Sequence, residues 1–186
     1  MRPFREKQIL LRAQIKYVRI APFIGKEPIL DIGSGNAGVV KLLRNNGLQV
    51  TALDVKNKSR FPEIRPLIYD GKKLPFEDQN FPTVMLLTVL HHCDNPEKVV
   101  SEAARVCSDT LLIMEDIYEN SLQKALTHFC DSLVNWEFKG HPHSNKSDRE
   151  WQRLFKKNGL IIDSIIYYRL ALVFKQVLYI LKKKEG

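Results

Sequence analysis

The stretch Leu30–Gly38, which reads LDIGSGNAG, decides the fold of this chain. It overlaps the end of the apolar run Pro28–Ile32, so a short buried strand leads into a glycine turn and then into a helix that starts near Ala37. Glycines at Gly33 and Gly35 permit a tight turn and let a ligand approach the backbone, where the N–H groups of the helix end can bind it. The pattern predicts a strand, turn and helix unit that binds a ligand at its turn.

Strand-like and helical segments alternate along the chain beyond this unit. The next predicted strands are Gln49–Val55, Pro66–Tyr69, Thr83–Val89 and Thr110–Met114, and the predicted helices are Ala37–Asn46 and Pro96–Val106. Because crossovers long enough for helices join parallel strands, this order indicates a parallel sheet that is covered on both faces.

The C-terminal segment adds a helix and a hairpin. Ser147 and Glu150 form a capping box, so we expect a helix from Ser147 to about Asn158. Leu160–Leu170 and Val173–Leu181 then predict two antiparallel strands. The predicted fold is an α/β, three-layer Rossmann-like sheet of seven strands, mostly parallel with a C-terminal antiparallel hairpin, with helices on both faces and an additional N-terminal helix.

The composition fits a single domain over residues 1–186, with a basic helix and linker at 1–26 and an α/β core at 27–186. The chain is 44% hydrophobic and 27% charged, which excludes the disordered and disulfide-scaffold classes. Its three cysteines form no CxxC pair, and its longest apolar stretch, Leu170–Leu181, contains Lys175 and Gln176. We therefore expect a cytoplasmic protein without a membrane span.

The net charge of +8 is concentrated at the two ends of the chain. Residues 1–26 carry seven basic side chains and one acidic one, and the C-terminal residues 175–186 carry four and one. Phe4–Ile20 predicts an amphipathic helix. Its apolar stripe is Phe4, Leu11, Ile15 and Val18, and its basic stripe is Arg5, Arg12, Lys16 and Arg19. We interpret the basic ends as a surface for peripheral contact with a membrane or RNA, or the helix as a lid.

Two acids beside the glycine turn bear on the ligand. Asp54 ends the second strand at the spacing from which an acid binds ribose hydroxyls in nicotinamide sites, so a dinucleotide is one interpretation. Asp31 stands two residues before Gly33, where a pyrophosphate is disfavoured and a cationic amino group is suited. A positively charged cofactor therefore fits better.

These residues resemble the first motif of the class I methyltransferases that use S-adenosylmethionine, in which an acid and any residue precede the glycines. The stretch Asp70–Phe81, reading DGKKLPFEDQNF, is similar to the family's segment after strand three. VLHHCDNPE at Val89–Glu97 resembles the segment after strand four in the small type 11 methyltransferases. The resemblance covers about residues 28–170 and lacks the Asn-Pro-Pro-Tyr signature of enzymes that methylate DNA adenine or glutamine amides.

The resemblance implies a set of cofactor contacts. Asp31 and the turn Gly33, Ser34 and Gly35 would hold the methionine end, and Asp54 would accept hydrogen bonds from both ribose hydroxyls. Val55, Asp70 and Gly71 would form the adenine slot. The backbone of Leu87 would contact the methionyl amine. Methyl transfer would leave S-adenosylhomocysteine as the product.

Other candidates lie outside the cofactor motif. His91 and His92 are candidate catalytic bases because histidine titrates near neutral pH, although either could instead pack or cap its loop. The histidines and Cys93 match no closed zinc site, so we expect no metal. The aromatic residues between strand five and the last helix are candidates for an acceptor pocket, with a core role as the alternative. They are Tyr118, Phe129, Trp136 and Phe138.

The sequence thus predicts a methyltransferase that moves a methyl group from S-adenosylmethionine to a small-molecule or lipid-like acceptor. Two alternatives stay open at this point. One is a nicotinamide-dependent oxidoreductase that uses the same turn, and the other is a non-catalytic module that docks on RNA or a membrane. The acceptor atom and the oligomeric state are not specified by any motif.

Overall fold

A computed structural model describes residues 2–118, 146–170 and 174–183. The helices are α1 (Arg2–Ile20), α2 (Gly38–Asn45), α3 (Pro96–Val106) and α4 (Asp148–Lys157), with short 3₁₀ turns at Ala21–Phe23 and Leu90–His92. The strands are β1 (Ile29–Ile32), β2 (Val50–Asp54), β3 (Leu67–Ile68), β4 (Phe81–Leu87), β5 (Cys107–Ile117), β6 (Leu160–Leu170) and β7 (Phe174–Lys183).

The seven strands form one sheet in the order β3-β2-β1-β4-β5-β7-β6. Strands β1 to β5 pair in parallel, whereas β7 runs antiparallel to both β5 and β6. The chain order reverses direction across the sheet between β1 and β4, and ligands of open α/β sheets bind at such a point. The predicted seven-stranded Rossmann-like fold with its antiparallel C-terminal hairpin is confirmed.

Two apolar layers cover the sheet, as a three-layer fold requires. Along β5, Leu111 and Ile113 pack in one layer while Leu112 and Met114 pack in the other, because side chains alternate across a strand. The first layer also contains residues of α3 and α4, including the fully buried Trp151. The second contains residues from α1 and α2.

The element boundaries follow the sequence signals closely. Helix α3 has the predicted bounds, and the side chain of Asn95 caps it by accepting a bond from Lys98 N–H at 3.0 Å. Before α4, the Glu150 carboxylate accepts the Ser147 N–H at 2.8 Å, as the capping box predicts. Strand β5 is longer than expected, since it extends beyond Thr110–Met114 at both ends.

The N-terminal helix is present, but its apolar stripe does not face the core, where an amphipathic pattern would place it. Leu11, Ile15 and Val18 of the apolar stripe are each more than half exposed. The helix packs instead through Ala13 and its neighbours, because a small side chain there lets α1 approach Gly38 of α2 closely. With α1 packed on this face, part of its basic stripe lies toward the protein.

The described part of the C-terminal basic tail is ordered in β7. Lys182 donates to Asp109 Oδ1 at 2.7 Å and to Thr110 Oγ1 at 2.6 Å. No helix within the described residues is both long enough and apolar enough to span a bilayer.

Candidate functional site

A cavity of about 620 Å³ opens at the carboxyl ends of β1, β2 and β4 and is bordered by α1. Most of the sequence-predicted site residues line it. They are Asp31, Gly33, Ser34, Gly35, Asp54, Val55, Leu87 and His92. The sheet brings these residues together because parallel strands end at the same edge.

The glycine turn fits tightly against the loop that follows β4. Gly33 has a φ of +75°, and a Cβ atom at this position would lie 2.6 Å from both γ carbons of Val89. The Gly33 N–H donates to the Leu53 carbonyl at 2.8 Å, which fixes the turn to β2. The Ser34 hydroxyl is buried in this turn and has no hydrogen-bond partner among the described residues. The turn thus offers a buried polar group to a ligand in the cavity.

Asp54 braces the turn from the neighbouring strand. Its Oδ2 accepts the Gly35 N–H at 2.8 Å, and its Oδ1 accepts the Lys56 N–H at 3.3 Å. Each carboxylate oxygen can accept a further hydrogen bond, so this bracing is compatible with binding hydroxyl groups in the cavity. Asp54 therefore holds Gly35 in place and lines the cavity, and its ribose role stays a prediction.

Asp31 is a buried carboxylate on the cavity wall. Only 3% of its surface is exposed, and burial raises its pKa to about 7. The nearby Lys16 opposes this rise, whereas the negative charge of Asp54 reinforces it. A carboxyl group in this state is stabilised as an anion by a cationic ligand.

Lys16 and Thr88 belong to the site although no motif identifies them. Lys16 Nζ donates to the Leu87 carbonyl at 3.1 Å and to Thr88 Oγ1 at 2.5 Å. Arg12, one turn earlier in α1, also lines the cavity. The two basic residues could be assigned to the basic stripe from the sequence, but the direction of that stripe depends on how α1 packs.

Asp70 and Gly71, which the resemblance assigns to the adenine slot, lie outside the cavity lining. Asp70 Oδ1 accepts the Lys72 N–H at 2.9 Å, and this backbone bond lowers the pKa of the carboxyl group. The preceding residue, Tyr69, does line the cavity. The roles given to Asp70 and Gly71 stay predictions.

The two candidate histidines occupy different environments. His91 is buried, and its Nδ1 lies 2.6 Å from Oε2 of the fully buried Glu115, to which it donates. The other carboxylate oxygen of Glu115 accepts the N–H groups of Val89 and Leu90 at 2.9 and 2.7 Å. This network fixes the loop after β4. It places His92, and not His91, on the cavity wall.

The remaining sequence candidates are only partly covered by the described residues. Tyr118 donates to Glu150 Oε2 at 3.4 Å, whereas Phe129, Trp136 and Phe138 lie outside the described residues. The other three histidines of the chain, His128, His141 and His143, also lie outside the described residues. Within the ranges 2–118, 146–170 and 174–183, no three His, Cys, Asp or Glu side chains form a group that could hold a metal ion.

Comparison with known proteins gives matches in sequence. A family model described as "Methyltransferase domain" matches residues 30–110. The chain is also 30% identical over 107 residues to the "Uncharacterized protein MJ1123" of Methanocaldococcus jannaschii. That match covers 55% of this chain and 49% of the other, so the chain spans about half the length of the curated relative that it matches.

Solved structures resemble the whole fold. A Haloferax volcanii protein in complex with the methyltransferase activator Trm112 gives a TM-score of 0.75 at 16% identity, covering 98% of this chain and 94% of that one. A SAM-dependent methyltransferase from Methanosarcina mazei gives 0.66 at 16% identity, covering 88% and 96%. Magnesium protoporphyrin IX methyltransferase from Synechocystis PCC 6803, solved with bound SAH, gives 0.66 at 14% identity, covering 97% and 84%.

Proposed function

We propose that this chain is a class I methyltransferase of the type 11 family and that it binds S-adenosylmethionine in the cavity described above. We further propose that it transfers the methyl group to a small-molecule or lipid-like acceptor and leaves S-adenosylhomocysteine. The observation that carries the proposal is that Asp31, the Gly33–Gly35 turn and Asp54 face one cavity at the ends of adjacent strands.

The chemistry of the cavity wall fits this cofactor. S-adenosylmethionine carries two positive charges near its methionine end, and Asp31 is a buried carboxyl group that a cation would stabilise as an anion. The Ser34 hydroxyl, which has no partner among the described residues, can bind a polar group of the ligand. A nicotinamide cofactor would place an anionic pyrophosphate near Asp31, so the charge of the wall favours S-adenosylmethionine.

Each part of the cofactor has a proposed counterpart on the cavity wall. Asp54 would accept the ribose hydroxyls, and the Leu87 carbonyl would accept the methionyl ammonium. Val55, together with Asp70 and Gly71, would border the adenine. Asp31 and the glycine turn would hold the methionine end.

S-adenosylmethionine supplies, when bound, a methyl group on a sulfonium that is already activated toward an in-line nucleophile. The protein's contribution is therefore to position the acceptor and to remove its proton. His92 lies on the cavity wall, where it can take a proton from an acceptor hydroxyl or amine. His91 acts as a positioning residue through Glu115, since that pair holds the loop that carries His92.

Parallel calorimetric titrations with S-adenosylmethionine, S-adenosylhomocysteine and NAD test the proposal. We expect saturable one-site binding of the two sulfur compounds and no binding of NAD. Asp54→Asn should weaken S-adenosylhomocysteine binding about tenfold or more, because hydrogen bonds to a charged group contribute about 1.5–3 kcal/mol. Asp163→Asn, an exposed acid on β6, is the matched control and should bind like wild type.

Binding of NAD alone would replace the methyltransferase proposal with the oxidoreductase alternative. An unchanged affinity in Asp54→Asn would refute the ribose role of Asp54 while leaving the cofactor identity intact. Once the cofactor is established, transfer of a radiolabelled methyl group to candidate acceptors identifies the substrate.

A further inference from the structure

The side chain of Lys16 reaches from α1 to the carboxyl end of β4. Its Nζ binds the Leu87 carbonyl and Thr88 Oγ1 at 3.1 and 2.5 Å. The negative charge of Asp31 attracts this ammonium, although burial lowers the pKa of Lys16. One cation of the N-terminal helix thus binds two oxygen acceptors and interacts with a buried carboxyl group on the same cavity wall.

The backbone at Thr88 is shaped around this contact. Thr88 has a φ of +62°, which is rare for a β-branched residue and is found mostly at functional sites. Its hydroxyl donates to the Leu87 carbonyl at 2.6 Å and accepts the bond from Lys16. The strained residue therefore places its hydroxyl beside the Leu87 carbonyl, so that one ammonium group binds both oxygens.

One of the two acceptors that Lys16 uses, the Leu87 carbonyl, is the acceptor that the proposed function assigns to the cofactor. The methionyl ammonium would bind the Leu87 carbonyl and face Asp31, and Lys16 makes both interactions in this structure. Two ammonium groups at one carbonyl oxygen repel each other. The bond from Lys16 to Leu87 therefore competes with the bond from the methionyl ammonium.

We infer that Lys16 occupies the subsite of the cofactor's methionyl ammonium and that cofactor binding requires its displacement. The inference rests on the proposed function. The end of α1 is anchored by the buried Ile20 and by the bond from Arg19 to Gln176, so the movement required is that of the Lys16 side chain. Lys16 is then a residue that lowers cofactor affinity by competing for this subsite.

A different role for Lys16 makes the opposite prediction. If its ammonium kept both present bonds and used its third proton to bind the methionine carboxylate, removing the charge would weaken the cofactor. The sign of the change in affinity therefore distinguishes displacement from direct binding.

The experiment compares wild type with Lys16→Met, which keeps the length of the side chain and removes its charge. Two ligands are titrated calorimetrically: S-adenosylhomocysteine, which carries the ammonium, and 5′-methylthioadenosine, which has the same adenosine and thioether but no amino-acid group. Lys7→Met removes the same charge from an exposed position of α1 and is the control. Lys16→Gln is a second variant, and thermal unfolding checks that each protein is folded.

We expect S-adenosylhomocysteine to bind Lys16→Met about tenfold more tightly than wild type, because the competing cation is gone. The affinity for 5′-methylthioadenosine should stay the same, and Lys7→Met should match wild type with both ligands. Weaker binding of S-adenosylhomocysteine, or equal changes for both ligands, would overturn the inference. If neither ligand binds wild type or the variants, the cofactor proposal itself fails, and the role of Lys16 with it.

Discussion

Replacing Glu115 by alanine tests how the loop after β4 is held against the cavity. Glu115 is completely buried and accepts three hydrogen bonds, from the N–H groups of Val89 and Leu90 and from His91 Nδ1, at 2.9, 2.7 and 2.6 Å. Alanine would remove the acceptor of all three of these hydrogen bonds. Removing the acceptor of a hydrogen bond costs about 1–3 kcal/mol, so the free energy of unfolding should fall by about 4 kcal/mol even if water enters the vacated space.

The conservative replacement Glu115→Gln gives a second, smaller value. Its carbonyl oxygen can still accept the Val89 and Leu90 N–H groups, so only the His91 contact changes, at a cost of about 1–2 kcal/mol. For a domain of this size, 1 kcal/mol corresponds to about 2–4 °C in melting temperature. The alanine variant should therefore melt about 8–16 °C below wild type, and the glutamine variant only a few degrees below.

The assay is chemical denaturation followed by circular dichroism and tryptophan fluorescence, with thermal melts in parallel. A double-mutant cycle between Glu115→Gln and His91→Ala should give a coupling free energy of about 1 kcal/mol or more, because the two side chains are in direct contact. Asp163→Asn, on the exposed face of β6, should change stability by less than about 0.5 kcal/mol. A loss below about 1 kcal/mol in Glu115→Ala would refute the proposed bracing of the loop.

Two further predictions concern the cavity wall. Asp31 has a pKa of about 7 against an ordinary value of 3.8, so its ionisation opposes folding as pH rises through this interval, whereas a cationic ligand favours the ionised form. Binding of S-adenosylhomocysteine should therefore strengthen between about pH 6 and 8 and release protons near pH 7. Calorimetry in buffers of different ionisation enthalpy measures this proton release. Asp31→Asn should abolish the release, and a release that persists in this variant would exclude Asp31 as its source. Gly33→Ala should lower unfolding free energy more than Gly47→Ala, because both residues have positive φ but only Gly33 meets Val89, at 2.6 Å. Equal losses in urea denaturation would contradict this packing argument.

Much of the fold and the centre of the site follow from local sequence signals. Strand β1, the glycine turn and α2 are adjacent in the chain, so the neighbouring residues are enough to place Asp31, Gly33 and Gly35 together. Asp54 could be added because the next strand of a parallel sheet ends at the same edge. The caps at Asn95 and Ser147 could likewise be predicted, since capping depends on residues three positions apart.

Side-chain roles that depend on contacts between distant segments could not be predicted. Lys16 and Leu87 are 71 residues apart, and Glu115 and His91 are 24 apart. No local pattern indicates that a buried glutamate holds His91 while His92 reaches the cavity. These contacts exist only once β4 and β5 lie side by side and α1 covers their ends.

The N-terminal helix shows most clearly which features are determined by the local sequence and which by tertiary packing. The sequence alone determined that residues 4–20 form a helix with an apolar and a basic stripe, because helical periodicity is a local property. The direction of the stripes was decided by packing: small Ala13 fits against Gly38, so the face that carries Lys16 turns into the cavity and Leu11, Ile15 and Val18 face outward. Periodicity defines which residues share a face of a helix, whereas the shape of the opposing surface determines which face is buried.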